Sequence, residues 1–357
     1  MKPLASNRMI ITYFRSSSYN AHDDCPQRYY MEYNLGWKGP SGLKADRGTI
    51  VHKVLEILAI AKKAQQDKKK TFVDDYIGKV TLSKMAPIDT ITEQVFGYYT
   101  NLVNHHNWSE KDLKICQELV QTAITLNDGM FNPLKRDVVA PELHFDFQIN
   151  EPWAKYEYQM PDGTQLDGQL AIKGTIDLIT KVDDSVYEVV DWKTGKRLNW
   201  ATGEEKTYEK LQDDPQLRMY HYALSKVYPD IDQIMVTIFF IADGGPFTIC
   251  YTKDDLPKTE QMLREKFDII RATQVPQLNR SWKCTKLCPF GKGTFDGTDK
   301  KVITEFRNGQ VTRYGAPMTM CEQIRFEIQR KGMDKTTKEY LAPGHDVGYY
   351  KAPGGVE

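Results

Sequence analysis

The chain has 357 residues, enough for one large or two ordinary domains with a substantial core. Lys plus Arg and Asp plus Glu both count 48, which excludes a global basic excess as the means of binding a polyanion but leaves room for a local groove or a metal site. No apolar run reaches the ~20 residues needed to cross a bilayer, and MKPLASNRMIITYFRSSS lacks the long apolar core of a signal peptide.

Six cysteines without a close-set framework suggest a reducing cytosol, with thiols free or metal-bound. Residues 1–20 are polar and Ser-rich. Cys25-Pro26 then opens an aromatic stretch of Tyr29, Tyr30 and Tyr33. Ile50, Val51, Val54, Leu55 and Leu58 follow Asp46-Arg47-Gly48-Thr49 at the spacing of an amphipathic helix, with His52 at the margin of the stripe. A basic run, Lys62 to Lys70, ends that helix. Residues 74–136 read as wholly helical, with a capping box at Ser109 to Asp112.

From Pro141 the period changes to two. Leu143, Phe145, Phe147 and Ile149 alternate with Glu142, His144, Asp146 and Gln148. Ala154 to Met160 is a further strand, turning at Pro161-Asp162-Gly163. Gly174 to Gly195 then predicts two strands joined at Asp183-Asp184-Ser185. Asp191 and Lys193 leave one face of the second strand, and Asp177 reaches it if the strands pair. Two carboxylates and an ammonium on an apolar hairpin are costly to bury unless they serve one another or a cation.

Gly203 to Lys210 reads as a loop, and Asp213-Asp214-Pro215 as a helix start. Gln216 and Tyr220, at i and i+4, share a face of that helix. Met235 to Ala242 and Phe247 to Tyr251 are strands around a Gly244-Gly245 turn, and Lys258 to Gln274 is a helix. The end of the chain is Gly-, Lys- and Asp-rich and reads as flexible from 336 to 357.

Asp177 followed by Asp191-Trp192-Lys193-Thr194-Gly195 resembles the D…(D/E)-x-K signature of PD-(D/E)XK nucleases. Arg47 to His52 resembles the G-x-x-x-H helix of the RecB-type exonuclease branch, and Gln216 to Tyr220 its Q-x-x-x-Y helix. Ser18 to Tyr30 resembles its N-terminal cysteine segment. These motifs fall in that branch's order and span roughly residues 16–290. The resemblance implies an α/β core, a mixed sheet flanked by helices, with an N-terminal helical block. Residues 1–140 would then hold the His motif, 141–290 the nuclease core, and 291–335 a C-terminal extension.

The resemblance implies phosphodiester hydrolysis assisted by Mg²⁺ or Mn²⁺. Asp177, Asp191, the Trp192 carbonyl and His52 would be ligands, and Glu142 would hold a metal-bound water or a second ion. Lys193 would orient or deprotonate the attacking water. Gln216 and Tyr220 would hydrogen-bond Lys193 or a DNA phosphate. In several RecB-type nucleases four cysteines hold a [4Fe–4S] cluster. Cys25, Cys284 and Cys288 stand at matching places, but the fourth, Cys321, comes after an insertion of about thirty residues. Zinc, or thiols that merely pack, are the alternatives. Cys116 and Cys250 read as core thiols.

The activity so implied is exonucleolytic, on DNA with a free end, in replication, recombination or repair. The alternatives are a DNA-end-binding or assembly subunit with a vestigial site, and a structure-specific or sequence-specific endonuclease. No helicase P-loop is present, so a motor would come from a partner helicase or recombination protein. No membrane role is expected. The small size suits a phage gene acting in the host cytoplasm.

Overall fold

The computed structural model describes residues 7–160, 163–198, 204–291 and 319–345. In chain order the elements begin with β1 (Tyr13–Phe14), α1 (Ser16–Asp24), α2 (Pro26–Tyr29) and α3 (Leu43–Gln66). A hairpin of β2 (Thr71–Asp74) and β3 (Gly78–Thr81) precedes α4 (Ile88–Leu102) and α5 (Glu110–Gly129). Then come β4 (Val138–Gln148), β5 (Lys155–Gln159), β6 (Gln165–Gln169), β7 (Ala171–Lys181) and β8 (Val186–Lys193). After α6 (Tyr208–Gln212) and α7 (Pro215–Val227), β9 (Gln233–Phe240) and β10 (Gly245–Thr252) complete the strands. The chain closes with α8 (Leu256–Ala272), α9 (Trp282–Lys286), α10 (Met320–Lys331) and α11 (Met333–Tyr340).

The main sheet has strand order β1-β7-β8-β9-β10, with β4 also pairing β7. β7–β8 and β9–β10 are antiparallel, whereas β8–β9 and β1–β7 are parallel. This is the mixed sheet with flanking helices that the sequence predicts.

The contacts divide the chain into two compact units that cut across the expected consecutive segments. One comprises Ser41–His144 and Thr175–Leu256. Its core joins the apolar stripe of α3 (Ile50, Val54, Leu58) to Leu178, Val190, Trp192 and Phe239 of the sheet. Val95 of α4 and Val120 of α5 pack into the same core. α5 begins as predicted, with the Ser109 N–H donating to Asp112 Oδ2 at 2.8 Å.

The other unit gathers Met1–Pro40, Phe145–Gly174 and Pro257–Glu357. Here Tyr29, Tyr30 and Met31 are fully buried. The Met9 N–H donates to the Thr273 carbonyl at 2.9 Å and the Gln27 N–H to that of Gln277 at 3.1 Å. Tyr30 and Thr337 hydroxyls meet at 2.7 Å, Trp37 Nε1 donates to the Tyr340 carbonyl at 2.7 Å, and the Ala342 N–H to that of Leu35 at 2.8 Å.

Four expectations need correction. Residues 74–136 are not wholly helical: the β2–β3 hairpin interrupts them, in strands too short and polar to show a period. Residues 336–345 are not a flexible end, because α11 buries Thr336 and Thr337 and the following turn is hydrogen-bonded to Leu35. The 203–210 segment gives way to α6, capped by Thr207. Cys250 is exposed, because β10 turns Ile249 and Tyr251 inward instead. The Pro161-Asp162 turn and most of the 291–318 insertion lie outside the described residues, as does the chain beyond His345.

Candidate active site

Three elements of the Ser41–His144, Thr175–Leu256 unit supply the site: the hairpin β7–β8, and the helices α3 and α7. β7 and β8 pair from Lys181↔Tyr187 to Leu178↔Val190, and one step beyond that ladder lie Asp177 and Asp191. Because side chains alternate along a strand, Asp191 and Lys193 share a face. Lys193 Nζ lies 2.7 Å from Asp191 Oδ2. Asp177 Oδ2 accepts the Trp192 N–H at 2.9 Å, so this carboxylate replaces the missing ladder partner. The Trp192 ring is buried in the core.

α3 brings His52 against the same carboxylate, with Nδ1 3.3 Å from Asp177 Oδ1. The glycine four residues upstream explains this approach. A Cβ at Gly48 would sit 2.9 Å from Thr194 Oγ1, so only a residue without one lets the helix lie this close to the end of β8.

α7 starts as predicted, with Asp214 accepting the Gln216 N–H at 2.9 Å and Pro215 in the first turn. Gln216 and Tyr220 face the sheet and meet Asp191 there. Gln216 Nε2 donates to Asp191 Oδ1 at 3.1 Å and the Tyr220 hydroxyl to the same oxygen at 2.9 Å. Both side chains thus hold one oxygen of that carboxylate.

Glu142 sits in β4 with a φ of 42°, in the left-handed region that a side chain other than glycine's rarely adopts. The strained residue joins His52, Lys53, Glu56, Tyr76 and Asp177 around a cavity of about 260 Å³. Glu56, one helical turn after His52, escaped the sequence reading. Its spacing from His52 was the available signal. Burial first, then a hydrogen bond with Glu142, push its carboxyl up to about 7 against the pull of Lys53. Two carboxyls facing one cavity form an oxygen-donor set that suits a hard cation.

The charges elsewhere follow from the same packing. Burial disfavours the His52 imidazolium, but the adjacent Asp177 outweighs it and raises the pKa. Burial works to raise Asp177, and His52 and Lys193 overcome it, leaving its carboxyl below the usual range. Burial raises Asp191 despite Lys193. The Lys193 ammonium loses hydration on burial yet has its pKa raised by Asp191 and Asp177, so it stays protonated. Oxygen donors from Asp177, Asp191 and Glu142 with one imidazole suit Mg²⁺ or Mn²⁺.

The second predicted constellation lies in the other unit. Cys25 joins α1 to α2, Cys284 is in α9, Cys288 follows α9, and Cys321 opens α10. Burial raises the Cys321 thiol first, and the electrostatic influence of Cys25, Cys288 and Cys284 adds to it, so each of these three stands within charge range of Cys321. The Cys321 N–H donates to the Phe290 carbonyl at 3.3 Å, holding α10 beside the Cys288 turn despite the insertion. Among the described residues no three of these sulfurs lie mutually within 4.8 Å. A tetrahedral zinc site needs its sulfurs about 3.8 Å apart. A cluster in which each thiolate binds its own iron is served by wider spacing.

A family model described as the PD-(D/E)XK nuclease superfamily matches residues 16–292. No curated protein matches the chain. Among solved structures, the chain is similar to a protein of Eubacterium rectale whose description as an exonuclease is provisional. The two share 11% identity with a TM-score of 0.44, over 87% of this chain and 92% of that one.

Proposed function

Since the chain belongs to the PD-(D/E)XK nuclease superfamily, and is thus a hydrolase of nucleic-acid phosphodiesters, we propose that it is a metal-dependent deoxyribonuclease of the RecB type acting on DNA ends. The observation that carries this reading is the convergence of Asp177, Asp191, Lys193 and His52 from two strands and a helix, with Gln216 and Tyr220 fixing Asp191 from behind. Asp177, Asp191, the Trp192 carbonyl and His52 would hold the ion, with Glu142 and Glu56 next to it. A bound Mg²⁺ or Mn²⁺ supplies charge relief on the phosphate and acidifies a water.

The chain's own groups do the rest. Lys193, kept protonated, steadies the charge that accumulates on the phosphate; electrostatic stabilisation suits it better than proton abstraction. Gln216 and Tyr220 hold one Asp191 oxygen and Lys193 lies at the other, which fixes the carboxylate that would help hold an ion. To serve as a ligand His52 would have to be neutral, against the pull of Asp177, which favours its charged form.

In the second constellation, Cys25, Cys284, Cys288 and Cys321 would hold a [4Fe–4S] cluster that contributes to folding and not to hydrolysis. The placement of Cys25, Cys284 and Cys288 within charge range of Cys321 supports a shared metal at these thiols. A partner helicase or recombination protein would supply processive unwinding.

The test is digestion of end-labelled linear DNA and a covalently closed circle, with and without Mg²⁺, by wild type and Asp191→Ala. The expected result is metal-dependent loss of the linear substrate alone. Discrete linear products from closed circles would replace this reading with an endonuclease. Tight end binding without cleavage would replace it with a binding subunit.

A further inference from the structure

Away from the hairpin, a second group of metal-binding side chains gathers where α3 begins. Among the described residues Asp46, His105 and His106 are the only three such donors whose ligand atoms all lie within 4.8 Å of one another. Asp46 is in the first turn of α3 and 2% exposed; the two histidines sit in the link between α4 and α5. Both rings turn Nε2 to the same Asp46 oxygen. His106 Nε2 lies 2.6 Å from Oδ2, and His105 Nε2 lies 3.8 Å from it. In a tetrahedral zinc site with bonds of about 2.05 Å, neighbouring donors stand about 3.3 Å apart. The two observed separations bracket that value.

The surroundings are those of a ligand carboxylate. Asp46 Oδ2 also accepts the Ser41 hydroxyl at 2.7 Å, and Oδ1 accepts the Tyr99 hydroxyl at 2.9 Å. Outer hydrogen bonds of this kind orient ligating carboxylates. The His106 ring stands edge-on to Trp108, with centroids 5.4 Å apart, which fixes its plane. The His105 side chain is 39% exposed, which leaves a path for an ion and an open fourth position.

We propose that Asp46, His105 and His106 bind one zinc ion, separate from the ion of the nuclease site. Two neutral imidazoles and one carboxylate form a set that zinc favours over magnesium. Binding places the proton of each imidazole on Nδ1 and breaks the 3.2 Å contact of His105 Nε2 with the Ser41 carbonyl. The ion ties the α4–α5 link to the start of α3, six residues before His52. It acts as a staple, and its presence does not depend on whether the protein cuts DNA.

The experiment is thermal melting of metal-stripped full-length protein titrated with zinc. Wild type should melt higher by roughly 5 °C at a hundredfold excess over Kd. Asp191→Ala and Cys288→Ser, which alter the other two candidate sites, should keep the shift. His105→Ala should lose it; this variant leaves the Asp46–His106 bond intact, so its fold is secure. His106→Gln, which preserves a donor to Asp46 but is a poor zinc ligand, should lose it too. An unchanged wild-type melting point overturns the proposal, and so does a full shift retained by His105→Ala.

Discussion

Asp191 carries the most partners at the site: Lys193 on one oxygen, and Gln216 and Tyr220 on the other. Asp191→Ala and Lys193→Ala should each cut turnover by at least about a thousandfold while leaving the melting point near wild type, measured on end-labelled DNA. Tyr220→Phe should do less, about tenfold, because Gln216 still holds the carboxylate. Glu142 offers a different test. Its left-handed φ costs an ordinary residue about 1–2 kcal/mol. Glu142→Gly should therefore be more stable than Glu142→Ala by about 1 kcal/mol in chemical denaturation, with both weak in cleavage. Equal stabilities would show that the backbone there is relaxed. Periods of two and 3.6 put Asp191 with Lys193 on one strand face and Gln216 with Tyr220 on one helix face, while only the resemblance singled these residues out together with Asp177. The sequence hid Glu56, since a glutamate on a half-exposed helix looks like any solvated charge until Glu142 is seen across the cavity.

Elements meet in this protein where side chains are withheld or kept neutral. α3 and the end of β8 approach at Gly48 and Thr194. Gly48→Ala should cost about 1–2 kcal/mol, and adding Thr194→Ala should restore part of it, a coupling that a double-mutant cycle measures. In the other unit α1 packs on α8 with His22 and Lys266 buried between them, the imidazole Nδ1 3.5 Å from the ammonium. Burial first, then Lys266, push His22 down to about 4, against a weaker opposing pull from Asp23. The folded chain thus keeps this ring neutral where the unfolded chain protonates it. Stability from His22 is present above the ordinary value of 6.5 and is lost as pH falls from there towards 4. His221, also pushed down to about 4 chiefly by burial, adds to the same slope. Chemical denaturation between pH 7 and 4 should show a loss on the order of 2–3 kcal/mol per histidine, and His22→Gln should flatten the curve. Long helices and alternating strands could be read in advance. The β2–β3 hairpin could not, because its four-residue strands hold too few apolar side chains to mark a face.

At the scale of the whole molecule, sequence order and spatial order part company. One unit draws on three separate stretches that include both ends of the described chain. Cys25 and Cys321 stand within range of each other's charge there. Closing so long a loop lowers the entropy of the unfolded state, so a shared cluster should add a few kcal/mol. Anaerobic protein should be brown with about four irons, and Cys25→Ser should lose both the colour and the resistance of residues 7–40 to limited proteolysis. Colourless protein with one zinc would keep the staple and change the metal. This meeting was only partly legible, since the insertion before Cys321 breaks the spacing on which a motif depends.

The same interleaving has a consequence for the ribosome. Every residue of the unit that carries Asp177, Asp191 and Lys193 has been polymerised once Leu256 is added. The partners of Tyr30 and Trp37, Thr337 and Tyr340, arrive some 300 residues after those two aromatics. At translation speeds of ~5–20 residues per second that is a delay of roughly 15–60 s. During it, Tyr29, Tyr30, Met31 and Leu35, all buried in the finished fold, stand open on the nascent chain. The catalytic half can mature first, and the aromatic N-terminal segment is where a chaperone would be needed.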